Sequence, residues 1–213
     1  MKNAFNRSLI NKRRFWYGIF LANLAAISFV FWHGSSFLVT NPGNGNVFVA
    51  LGRATGLLLQ FAILVQLVLI SRISPIESAF GFDRLNRVHR TLGFSLFLLL
   101  VAHPLFLAIG YGMMTDTPPV AQTVTFLSEW EDVFKAFLGT LIFLLVGATS
   151  IPPIRKHLRY EKWHFVHLLT YLAVILSFGH QTKTADVAFG PALYYWLALN
   201  AGVFGALIGY RAL

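Results

Sequence analysis

No cysteine occurs anywhere in the 213 residues. That absence excludes disulfides, thiolate zinc sites, iron–sulfur clusters and the C-x-x-C-H attachment of covalent haem. Acidic residues are also scarce, eight Asp and Glu against 17 Lys and Arg, for a formal net charge of +9. They avoid the long apolar runs, which argues against a carboxylate-driven hydrolase or an intramembrane carboxylate relay. Charge of either sign makes up only 12% of the chain, about half the share usual in a soluble domain. Together with 56% hydrophobic residues and a mean hydropathy of +0.65, this excludes a disordered chain and points away from a soluble one. On a soluble protein the positive balance would suggest nucleic acid. Here it reads as basic loops at the cytoplasmic face of a membrane, with no nucleic-acid partner.

A bilayer core takes about 20 mostly apolar residues per helix. Six stretches qualify: Phe15–Trp32, Leu51–Ile70, His89–Gly110, Val133–Ile151, Trp163–Gln181 and Pro191–Tyr210. Turn chemistry separates them, at Asn41-Pro42-Gly43-Asn44-Gly45, Ser74-Pro75, Thr117-Pro118-Pro119, Pro152-Pro153 and Gly190-Pro191. The reading is an all-α membrane protein, a six-transmembrane-helix bundle. It divides into a basic N-terminus over 1–14 and a transmembrane domain over 15–213.

The cations choose the orientation. Lys2, Arg7, Lys12, Arg13 and Arg14 precede the first span. Arg72, Arg84, Arg87 and Arg90 lie between the second and third or in the first turn of the third, and Arg155, Lys156, Arg159 and Lys162 between the fourth and fifth. Arg211 follows the sixth. The opposite side has Arg53, Lys135 and Lys183, with Asp116, Glu129, Glu131, Asp132 and Asp186. The positive-inside rule makes the basic side and both termini cytoplasmic. The first span resembles a signal peptide in its basic start, but no A-x-A-like site follows, so it reads as an uncleaved span.

Of the seven histidines, four fall into two tiers. His89 and His103 lie fourteen residues apart on the third span, and His167 and His180 thirteen apart on the fifth. The two spans run in the same direction. At about 1.5 Å per residue each step covers about 20 Å, so each tier has one histidine from each helix. A haem between two parallel helices takes one neutral imidazole from each as axial ligand, and two tiers hold two haems across the membrane. Without cysteine, those haems are non-covalent. His89 and His103 share a helix face. On an ideal helix His180 stands about 140° from His167, so the pairing needs a local distortion, expected at Ser177 and Gly179. His164 competes with His167 but lies nearer the basic loop, while His33 and His157 read as surface residues.

The segments Leu85-Asn86-Arg87-Val88-His89-Arg90 with His103, Trp163-His164-Phe165-Val166-His167 through Tyr171 to His180, and Gly52-Arg53-Ala54-Thr55-Gly56 resemble the ferric reductase-like transmembrane family. That family includes ferric-chelate reductases, NADPH oxidases and the haem-binding membrane subunit of bacterial methionine sulfoxide reductase systems. The resemblance implies two stacked b-type haems, with His89 paired to His167 and His103 to His180. It also implies that Arg53 approaches the outer haem, where it pairs a propionate or attracts an acceptor; snorkelling to the headgroups is the plainer role. Arg84, Arg87 and Arg90 fit inner-haem propionates and ordinary inside-positive charge equally well.

Two features depart from that pattern. Leu107 stands where oxidase relatives often carry another histidine. The sequence also ends at Leu213 without the FAD- and NADPH-binding domain that follows in many relatives, and it has no G-x-G-x-x-G. The expectation is a membrane component of an oxidoreductase in a bacterial inner (plasma) membrane. FAD and NAD(P)H would act only through a cytoplasmic flavoprotein reductase, separate or fused, and electrons would pass to ferric iron, oxygen or a periplasmic protein outside. A methionine sulfoxide reductase subunit and a quinone- or ascorbate-linked cytochrome are the alternatives, with a haem-free transporter or scaffold behind them. Pro104, directly after His103, is expected either to kink the third span toward the ligand or to serve packing. The 21 Phe residues read mainly as lipid-facing, and Glu129, Glu131 and Asp132 as a solvated helix start.

Overall fold

The computed structural model describes residues 2–41, 43–130, 132–183 and 185–212. Pro42, Glu131 and Leu213 lie outside them, as do the side chains of Lys2 and Arg211. The described residues are mostly helical, and no strand occurs among them. Six helices are long and apolar enough to cross a membrane, so this is a multi-pass membrane protein. They are α1 (Lys2–Thr40), α2 (Asn46–Ile70), α4 (Phe82–Thr115), α6 (Val133–Ser150), α8 (Tyr160–Lys183) and α9 (Gly190–Ala212). Shorter helices join them: α3 (Ser74–Phe80), α5 (Pro119–Glu129) and α7 (Pro152–Arg155), with one 3-10 turn at Ala185–Val187.

Lipid tails are as apolar as leucine, so helices in a bilayer associate through close packing and buried polar contacts. The antiparallel pair α2–α4 shows the first of these. A Cβ at Gly52 would stand 2.6 Å from Leu107 Cδ2, and one at Gly56 2.6 Å from His103 Cε1. Only glycine permits this approach. The antiparallel pair α6–α8 closes in the same way, at Gly139 against Ser177 and the Ala173 carbonyl. Each pair contributes one histidine-bearing helix, α4 or α8. Those two helices pack little against each other, and the slot between them is where their histidine side chains meet.

α1 and α9 pack on the outside of this arrangement, around Ile27, Val30, Leu57, Phe61, Val187 and Trp196. The basic residues 7–14 continue α1 as helix. Arg13 there donates to the Ala79 carbonyl at 2.8 Å, satisfying an acceptor at the end of α3. The short helix α5 lies against α4 through edge-on contacts among Tyr111, Phe126 and Trp130. Neither α3 nor α5 forms an apolar run long enough to signal itself in the sequence. Many phenylalanines, Phe94, Phe165 and Phe189 among them, are exposed, as lipid contact requires.

Candidate haem-ligand site

Each tier closes into a pair across the slot. The ring centroids of His89 and His167 lie 6.2 Å apart with the planes 57° to one another, and those of His103 and His180 lie 6.2 Å apart at 56°. An imidazole nitrogen sits about 2 Å from a bound metal, so two imidazoles on opposite sides of one iron have centroids about 6 Å apart. The separation fits an iron between each pair. The described histidines and carboxylates form no group of three or more suited to a bare metal ion. Two opposed imidazoles suit a metal whose other four ligands come from a macrocycle.

The backbone orients two of the rings. His103 Nδ1 lies 2.7 Å from the Gly52 carbonyl oxygen, and His89 Nδ1 lies 3.3 Å from that of Gln66. A carbonyl only accepts, so Nδ1 carries the proton in each and Nε2 keeps the free lone pair. Gln66 grips the same turn a second time, its Nε2 donating to the His89 carbonyl at 3.0 Å. The approximately 140° offset on α8 is met without a break, since the helix is continuous from Tyr160 to Lys183. Ser177 donates back to the Ala173 carbonyl at 2.9 Å, a contact that commonly bends helices. α4 likewise runs on through Pro104.

Beside the His103–His180 pair, called the outer pair after the orientation expected from the cations, a cavity of about 380 Å³ is lined by His103, His180, Arg53, Gln60, Lys183 and Trp196, among others. Arg53 faces it while held from behind. Its Nη1 lies 3.3 Å from both Asp186 Oδ1 and Ser35 Oγ, and the fully buried Ser35 donates to the Asp186 carboxylate at 2.7 Å. Burial pushes the Asp186 carboxyl above its ordinary range, against the pull of Ser35 and Arg53. Lys183 is held in the same manner, 2.7 Å from Asp132, which also pairs with Lys135.

Over residues 52–178, more than half of its length, the chain matches the family described as Ferric reductase like transmembrane component. The chain belongs to this family. The match takes in Arg53, His89, His103 and His167, and stops two residues short of His180. No curated protein matches closely enough to count as a relative.

In this family member His164 stacks on Tyr160, ring centroids 5.6 Å apart, and is exposed, which leaves His167 as the residue opposite His89. His33 and His157 are exposed. Leu107 packs onto Gly52 and lines the outer cavity, so that position is apolar. Asp132 differs from the solvated helix start expected of it: its side chain is 5% exposed, between two lysines.

Sequence reasoning missed a buried amide network. Gln181 Nε2 donates to Gln60 Oε1 at 2.9 Å, Gln60 Nε2 to Asn200 Oδ1 at 3.0 Å, and Trp196 Nε1 to Gln181 Oε1 at 3.3 Å. It ties α2, α8 and α9 together next to the outer pair. Amides inside otherwise apolar runs, at Gln60 and Asn200, were the available signal.

Proposed function

We propose that the protein carries electrons across a membrane through two b-type haems, the inner held by His89 and His167 and the outer by His103 and His180. The observation that carries this reading is the equal 6.2 Å spacing of both histidine pairs on the same two helices. When bound, each haem iron supplies a one-electron couple.

The chain's own residues do the rest. The imidazoles of His89 and His167, and of His103 and His180, would hold the two irons from residues fixed on α4 and α8, which would limit rearrangement between oxidation states. Glycines at 52 and 56 let α2 support the His103 ring from behind. Leu57, Leu107 and Trp196 supply apolar surface beside the His103–His180 pair. Arg53 and Lys183, paired with Asp186 and Asp132, line the cavity beside His103 and His180, where their remaining N–H groups suit carboxylates such as propionates or an anionic acceptor. By the cation distribution, His89 and His167 face the cytoplasm. There a flavin- or NAD(P)H-dependent reductase, a partner or a fused domain, delivers the electrons. Ferric iron, oxygen or a periplasmic protein receives them outside, in a bacterial plasma membrane.

The test is a reduced-minus-oxidised optical spectrum of the purified chain, with haem quantified per polypeptide. Two haems per chain are expected. A colourless protein after haem-supplemented expression overturns the proposal.

A further inference from the structure

Ser150 ends α6 at the level of the inner pair. Its hydroxyl oxygen lies 2.7 Å from the Val146 carbonyl oxygen, 3.3 Å from Trp163 Nε1 and 3.4 Å from His167 Nδ1. A serine hydroxyl has one hydrogen to donate and two lone pairs to accept with. The Val146 carbonyl only accepts, so the hydroxyl hydrogen goes there. The indole N–H only donates, so it occupies one lone pair. What remains for His167 is the second lone pair, and Nδ1 must bring its own hydrogen to it.

Packing holds these groups in place. The Trp163 and His167 ring centroids are 5.0 Å apart with the planes 33° to one another. Arg155 Cζ stands over the indole, 4.5 Å from its ring centroid, and Arg155 is itself anchored to the Leu158 carbonyl at 3.0 Å.

We propose that Ser150 and Trp163 are positioning residues for His167: they hold its Nδ1-protonated tautomer, present Nε2 to the inner iron and set the donor strength of that nitrogen. This rests on the haem reading above. His103 and His89 bond to backbone carbonyls, of Gly52 and Gln66. His167 bonds to a side chain, so here a single substitution can retune a ligand without moving a helix. A hydrogen bond donated from Nδ1 makes an imidazole a stronger ligand. That favours ferric over ferrous iron and lowers the reduction potential. Losing the bond therefore raises it.

Redox titration of the purified full chain with its haems, followed optically and by low-spin electron paramagnetic resonance, tests this. Ser150→Ala should raise one of the two midpoint potentials and leave the other in place. Ser150→Thr, which keeps the hydroxyl, should restore the wild-type value, and Trp163→Phe should alter the same potential and leave the other in place. Both potentials unchanged in Ser150→Ala, or a Thr variant no different from the Ala variant, overturns the assignment. Should Ser150→Ala lose the inner haem altogether, two haems at wild-type potentials in Ser150→Thr support it and loss there as well overturns it. A wild-type chain without haem sinks the haem reading itself. A wild-type chain with two haems whose potentials ignore Ser150 sinks this inference alone.

Discussion

Gly56 on α2 lies so close to the His103 ring on α4 that a Cβ at position 56 would stand 2.6 Å from the ring's Cε1. The position of the His103 ring is thus set by the absence of a side chain on the neighbouring helix. Gly56→Val should displace the ring and reduce haem content from two per chain to one. Gly205 has open space around its Cβ position, and Gly205→Ala should retain both. Haem quantification on the two purified variants checks this.

The histidines divide by tier. His89→Ala or His167→Ala should remove the inner haem, and His103→Ala or His180→Ala the outer, each leaving a spectrum of about half the wild-type amplitude. If all four variants keep full haem content and an unchanged spectrum, the ligand assignment is wrong.

Asp132 gives a pH dependence with a definite sign. Its pairs with Lys135 and Lys183 hold the carboxyl down from the ordinary 3.8 to about 2. A depressed folded-state value means the contribution is complete above pH about 4 and fades as pH falls toward about 2. The wild-type protein should therefore melt higher than Asp132→Asn at neutral pH, with the gap narrowing as pH falls through about 3. Thermal melts in detergent micelles at several pH values will show whether the gap closes.

Removing the partner of Arg53 should cost stability. Asp186 is 2% exposed and Arg53 19%, so Asp186→Ala leaves a mostly buried guanidinium and the Ser35 hydroxyl without an acceptor. A loss of about 2 kcal/mol is expected, in the range for an orphaned buried polar group. It is measurable by denaturant titration in mixed micelles.

The amide network should show coupling. Gln60→Leu and Asn200→Leu each break the Gln60–Asn200 bond, so the double variant should lose less than the sum of the two. A coupling energy of about 0.6 kcal/mol is typical between helices in a membrane. A double-mutant cycle on the same unfolding signal checks it.

Most of the architecture was legible in the sequence because a bilayer imposes a simple length rule on apolar runs. Six runs gave six spans, although α4 begins at Phe82, seven residues before the expected His89, and α1 extends back to Lys2. The polar ends of both helices lie outside the apolar run that signals a span. α3, α5 and α7 went unseen because short helices that bury two residues or none leave no such run. Tier spacing also followed from the sequence, because helical rise is nearly constant.

By itself, then, the sequence determined that the chain spans a membrane six times and that four histidines form two tiers on two helices. Only the tertiary structure decided what surrounds them. His164 turned to Tyr160 while His167 met His89. His103 found its acceptor at Gly52, and Asp186 reached across to Arg53. Helical rise is a local property that every residue repeats. Which atom faces which across a slot depends on how separate helices rotate and tilt against one another, and no local periodicity encodes that.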